Sequence, residues 1–254
     1  DRIMLGILAT EEAVGLYTAA SKMSVQLRFV LFALTAAFSP VISELYHSGR
    51  RGALAQLYAD TVRWIALGTL PLAVVLLVFA PDLMMLFGAD FREGAVLLRV
   101  LAGAYIVVAG SGSVGHMLQM SDHQDFAFWI NASMAVLNVG LNWVLIPWYG
   151  VVGAALATGT AHVLANGFQL IGLYHYTGIQ PFRRGLWKPV AAALASGGAA
   201  WALFVQLAAP ARWLVGIPVA LLLYGGAVLV LGLAERDQAI VDDLWAALRA
   251  RSGG

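Results

Sequence analysis

The chain is written in long apolar blocks separated by short polar punctuation. Between Phe126 and Phe182 there is no Asp, Glu, Lys or Arg. That stretch is too long for one bilayer crossing, which takes about 20 mostly apolar residues. It breaks once, at Ile146-Pro147-Trp148-Tyr149-Gly150. Pro and Gly there end one helix and start the next, so the segment is predicted to be a helical hairpin. Val100–Ser121, Pro189–Ala211 and Trp213–Ala234 are charge-free and supply one span each. Trp64–Pro81, extended back through Leu57 and Tyr58, supplies another. A first helix, from about Ala13 to Ser43, is apolar overall but carries Lys22 and Arg28. The pattern therefore predicts an all-α, polytopic membrane protein with about seven transmembrane helices. Segments of ten residues with alternating polarity, the mark of a membrane β-barrel, do not occur.

Composition agrees with that pattern. Apolar residues make up 61% of the chain and charged residues 11%, with a mean hydropathy of +0.80. A water-facing exterior needs roughly 25% charge, so this exterior is expected to face lipid. Arg50, Arg51, Arg63, Arg183, Arg184, Lys188, Arg236, Arg249 and Arg251 fall on one side of the predicted spans. Arg2, Arg92 and Arg212 fall on the other. The positive-inside rule then puts the C-terminus in the cytoplasm and Asp1 outside. Trp64, Trp148, Trp187 and Trp213 lie near span ends, where indole rings prefer the headgroup zone. The net charge of +1 carries no nucleic-acid signature, and with no Cys there is neither a disulfide nor a thiolate site. The chain opens on Asp1, without Met or a basic leader, so it is expected to be a piece of a longer protein. Beyond the last span, Ile240, Val241, Leu244, Trp245 and Leu248 would form one apolar face of a short helix on the membrane surface. A plain tail is the alternative. Loops are too short to hold an extramembrane enzyme module.

Charges inside the spans are the most informative residues. Each costs about 2.5–3.5 kcal/mol at a helix centre on insertion scales. Lys22, Arg28 and Arg99 are such charges, with no carboxylate expected at their depth. Tyr17, Ser21, Ser24, Arg28, Thr35 and Ser39 follow helical spacing and predict a polar stripe facing a wet cavity. A cavity lined by unpaired cations suits an anionic substrate such as a phosphate; for Lys22 and Arg99 the competing reading is snorkelling to the surface. Asn131, Asn138 and Asn142 share one helix face. Their amides could bind sugar hydroxyls, but they equally serve as bonds between helices, which is the reading the residues favour. Gly110-Ser-Gly112-Ser-Val-Gly115 matches a dinucleotide-binding pattern but lacks the strand and acidic residue that pattern requires. We therefore assign it to close helix packing inside a span, as we do Gly153, Ala157 and Ala161. His116 and His162 are solitary imidazoles, more in keeping with packing than with a proton relay. Neither H-E-x-x-H nor a Walker loop occurs, so no catalytic residue, metal or cofactor is expected. Pro40 and Pro71 lie within spans and are expected to kink them.

The segment Asn138-Val-Gly-Leu-Asn142-Trp-Val-Leu-Ile-Pro147-Trp-Tyr-Gly150-Val-Val-Gly153-Ala-Ala-Leu-Ala-Thr158 resembles the hairpin of polysaccharide flippases of the multidrug/oligosaccharidyl-lipid/polysaccharide exporter superfamily. Asp1-Arg-Ile-Met-Leu-Gly6 and Val14-Gly15-Leu-Tyr17-Thr-Ala-Ala20 are similar to the family's loop before its eighth helix. Pro40-Val-Ile-Ser43 resembles the close of that helix, and Leu86-Phe-Gly88-Ala-Asp-Phe91 the loop after the ninth. The resemblance implies the C-terminal half of a fourteen-helix, two-bundle transporter. Residues 1–182 would run from the end of helix seven to helix twelve. Residues 183–254 would add two transmembrane helices and a cytoplasmic amphipathic tail. It further implies translocation of undecaprenyl-pyrophosphate-linked oligosaccharide by alternating access in a bacterial cytoplasmic (inner) membrane. The expected partners are that glycolipid, membrane lipids and the N-terminal half of the same protein. Candidate substrate-binding residues are Arg28, Lys22, Arg99, Asn138 and Asn142. The alternatives are another transporter of the superfamily, either a drug antiporter or a peptidoglycan-precursor flippase, and a membrane-embedded glycosyltransferase or ligase. Short loops speak against the last of these, and the lack of intramembrane carboxylates speaks against the antiporter.

Overall fold

The computed structural model describes residues 1–182, 186–204 and 211–231. The amphipathic tail expected after Asp237, and the basic residues Arg183, Arg184, Arg236, Arg249 and Arg251, lie outside them. Within the described residues the chain is helical throughout: α1 (Arg2–Leu8), α2 (Glu11–Ser24), α3 (Phe29–His47), α4 (Arg51–Val78), α5 (Ala80–Met84), α6 (Ala95–Gly110), α7 (Val114–Met120), α8 (Gln124–Thr177), α9 (Trp187–Phe204) and α10 (Ala211–Leu231). Backbone satisfaction inside hydrocarbon requires this, because a helix pairs its own N–H and C=O groups. Thr10 caps α2, its hydroxyl accepting from the Ala13 N–H at 3.3 Å, and Glu11 and Glu12 occupy the positive first turn.

Five helical stretches are long and apolar enough to cross a membrane: Glu11–His47, Arg51–Val78, Ala89–Met120, Gln124–Thr177 and Leu214–Leu231. A count of seven is reached only by taking the two legs of α8 separately and adding α9. The hairpin itself is present. Gly150 interrupts α8 with φ 56° and ψ −136°, a conformation open to Gly alone. The two legs then run back along each other. Gln169 Nε2 donates to Asn131 Oδ1 at 2.9 Å, and the Phe126 ring fills the place a Cβ on Gly172 would take. Just after the turn, a Cβ on Gly153 would strike the Leu145 carbonyl. Ala154, Ala155 and Ala157 are buried behind it, so small residues set the leg-to-leg distance.

Two spans read as continuous are interrupted instead. The first changes to a 3-10 turn over Val25–Arg28 between α2 and α3, which is where Arg28 sits. The third opens at Ser111-Gly112-Ser113 between α6 and α7, with Gly112 at φ +73°. Open backbone at that depth must find partners within the protein, and it does. The Tyr58 hydroxyl of α4 donates to the Ser111 carbonyl at 2.7 Å, Ser113 Oγ bonds Thr35 Oγ1 of α3, and Ser111 Oγ donates to Asn166 of α8. The glycine pattern there therefore makes a helix break rather than a helix face. The core divides accordingly. One cluster, around Leu5, Tyr17, Met84, Leu98 and Ile146, lies toward the Gly150 turn. Another, around Ile42, Tyr58, Val62, Met117 and Leu173, lies toward the opposite end. α9 and α10 pack on α4 through Ala192, Ala200, Ala220 and Tyr224.

Candidate functional site

The hairpin, α1 and α2 bring five polar side chains together. Asn142, fully buried, directs its Nδ2 to Asp1 Oδ1 at 2.8 Å, to the Asn138 carbonyl at 2.9 Å and to Asn138 Oδ1 at 3.1 Å. The Tyr17 hydroxyl donates to Asp1 Oδ2 at 2.9 Å and lies 2.9 Å from Thr158 Oγ1. A phenol has one proton, and the carboxylate takes it, so Thr158 is the donor in the second bond. Each Asp1 oxygen thus accepts a bond, while Asn142 Oδ1 is buried without a partner. This cluster borders a cavity of about 370 Å³ whose walls include Asp1, Asn131, Asn138, Thr158 and His162. One carboxylate, amide oxygens and hydroxyls offer hard donors to a small cation, or partners to hydroxyl groups of a sugar. Among the described residues no group of His, Cys, Asp and Glu is arranged to hold a metal.

Arg28 lies next to this cavity's wall. Its Cζ is 4.6 Å from the centroid of the Phe32 ring and 5.9 Å from that of Tyr105, within cation–π range. Tyr105 in turn packs on His162, with ring centroids 5.5 Å apart. Its Nε is buried with no acceptor, and no carboxylate among the described residues pairs with it. Lys22 is exposed, two turns back toward the α2 N-terminus.

The structure does not bring Arg99 to these residues. Its Nε donates to the Leu77 carbonyl at 3.0 Å, and its Cζ lies 5.8 Å from the Trp201 ring centroid. It closes the C-terminal turn of α4, whose last carbonyls lack helical partners, and holds α9 beside it. The polar stripe also divides. Tyr17 reaches the cavity cluster, whereas Ser24 and Thr35 are buried and bond carbonyls of their own helix. Asp1 and Thr158 were not singled out as site residues, and Tyr105 not at all. The signals that pointed to a polar locus were the shared face of Asn138 and Asn142 and the stripe through Tyr17.

A second cavity, about 530 Å³, lies between α4, α6, the second leg of α8 and α9. Leu70, Ile106, Val163, Leu170, Phe182 and Trp187 make its walls predominantly apolar, with Ser111 and Asn166 as polar points.

A sequence profile described as MatE matches residues 1–144, more than half of the chain. The chain belongs to the MatE family. The MatE match takes in Arg28, Asn138 and Asn142 and ends before Thr158. Among relatives, the chain is 27% identical over 159 residues to a probable low-salt glycan biosynthesis flippase, Agl15, of Haloferax volcanii, covering 62% of this chain and 34% of that protein. It is 26% identical over 161 residues to the probable flippase AglR of the same organism, with the same coverage. The chain thus spans about a third of the length of these relatives. Among solved structures, the lipid II flippase MurJ in an inward closed conformation superposes with a TM-score of 0.67 at 14% identity. That match covers 86% of this chain and 47% of MurJ, and it shows that the MatE chain has the same helical transporter fold.

Proposed function

We propose that this chain is part of a flippase that carries a lipid-linked oligosaccharide across the cytoplasmic membrane by alternating access. The carried lipid is of the undecaprenyl-pyrophosphate class. The observation that supports this reading is Arg28: a half-buried guanidinium in a 3-10 turn of a spanning helix, bordered by aromatic rings and paired with no acid among the described residues. Such a charge is retained in hydrocarbon only where something polar or anionic meets it. A diphosphate supplies that anion, and the polar cavity beside it suits the attached sugar. The glycan-flippase names of the two relatives point the same way. In this reading residues 1–182 belong to the C-terminal bundle, residues 183–254 add the two further helices and a cytoplasmic tail, Asn138 and Lys22 face the substrate path with Arg28, and the buried Asn142 serves it by holding Asn138 and Asp1 in place. The remaining partners are membrane lipids and the rest of the same protein.

Replacing Arg28 with Ala in the intact protein tests it, with glycolipid in the outer leaflet as the readout. Loss of one charge-assisted contact is worth about 1.5–3 kcal/mol, so translocation is expected to fall at least about tenfold. Unchanged translocation removes Arg28 from the mechanism and the reading with it.

A further inference from the structure

We propose that Tyr105 and Phe32 form an aromatic clamp that positions the Arg28 guanidinium for the anionic headgroup; this rests on the functional reading above. A partly buried guanidinium can be held in place either by an acceptor or by π faces. The described arginines show both solutions. Arg99 is held by the Leu77 carbonyl, Arg63 by Asp60 at 3.2 Å and Arg212 by Asp82 at 3.6 Å. Arg28 is held by rings. Phe32 stands one turn further along its own helical stretch, and Tyr105 comes from α6. The two approaches of 4.6 Å and 5.9 Å engage the charge while claiming none of its N–H donors.

That difference has a chemical consequence. An acid would neutralise Arg28 and occupy the donors that a phosphate needs, and a bound anion would then have to displace it. Rings fix the side chain, and among the described residues no acceptor competes for its donors. Tyr105 is itself fixed: it is 7% exposed and packs on His162, which lines the polar cavity. A continuous wall thus runs from Phe32 through Arg28 and Tyr105 to the cavity containing Asn138 and Thr158. A diphosphate at Arg28 would place a group linked to it on that side.

The test uses the intact protein reconstituted in liposomes, with inorganic pyrophosphate as the calorimetric probe. Tyr105→Leu and Phe32→Leu are each expected to weaken binding about fivefold, the order of a partly desolvated cation–π contact. Tyr105→Phe, which keeps the ring face, should bind within about twofold of the parent. In an Arg28→Ala background, Tyr105→Leu should add no further loss. Should Tyr105→Leu fail to fold, Phe32, 46% exposed, carries the test alone. Unchanged affinity in the ring variants, with binding lost in Arg28→Ala, overturns the clamp and leaves the functional reading standing. Unchanged affinity in Arg28→Ala overturns both. A further loss on adding Tyr105→Leu to Arg28→Ala makes the tyrosine merely structural and overturns the clamp.

Discussion

Asp1 and Arg28 are both charged groups within the bundle, and their surroundings treat them oppositely. Asp1 has a hydrogen-bond donor at each oxygen, Asn142 on one and Tyr17 on the other. Arg28 has aromatic faces and, among the described residues, no acceptor. Satisfied polar groups hold a fold together, whereas unsatisfied ones are available to a ligand. Tyr17→Phe removes the hydroxyl that joins Asp1 to Thr158 and leaves both without their partner. It is expected to cost about 1–2 kcal/mol, read as a shift in the denaturation midpoint in micelles; an unshifted midpoint would show that the bond contributes nothing. Arg99→Gln should lower stability by about 1 kcal/mol through loss of the Leu77 contact, while glycolipid translocation stays at the parent level. A translocation defect at constant stability would return Arg99 to the substrate path. None of this could be read along the chain, since Tyr17 and Thr158 are 141 residues apart.

Among the elements, the hairpin was legible and the breaks were not. Pro147 and Gly150 interrupt a charge-free stretch too long for one span, so a reversal was the one solution length allowed. Gly110-Ser-Gly112-Ser-Val-Gly115 has no such constraint. The same small residues could line a straight helix or open one, and partners from α3, α4 and α8 decide for opening. Gly112 is the sensitive point. Its φ of +73° is strained for any side chain, and a Cβ there would lie 2.5 Å from Val62 Cγ2. Gly112→Ala is expected to destabilise by about 2 kcal/mol or more. Adding Val62→Ala should relieve the steric part but not the backbone part, so the pair should be less destabilised than the sum of the singles. Strict additivity in a double-mutant cycle would refute the contact.

At the scale of the whole molecule, the orientation expected from where the basic residues gather is open to a direct test. These 254 residues contain no Cys, so single cysteines placed among them report sidedness without background from the chain itself. Arg92→Cys is expected to react with a membrane-impermeant maleimide in intact cells, and Ser48→Cys only after permeabilisation. The reverse pattern would invert the topology. Division of the core into clusters at the two ends, with Arg28 and the Ser111–Ser113 break between them, belongs to this scale too.

What the amino-acid sequence determined by itself was local or compositional: helices, their apolar lengths, the hairpin and the family pattern of its residues. Hydrophobic transfer and backbone hydrogen bonding act over one span at a time, so they are written in consecutive residues. Only the tertiary structure decided which polar groups meet. It paired Asp1 with Asn142 and Tyr17, gave Arg99 a carbonyl and left Arg28 between rings. A hydrogen bond or a cation–π contact exists only at a distance of a few ångströms, and those distances are set by how helices far apart in the chain pack against one another.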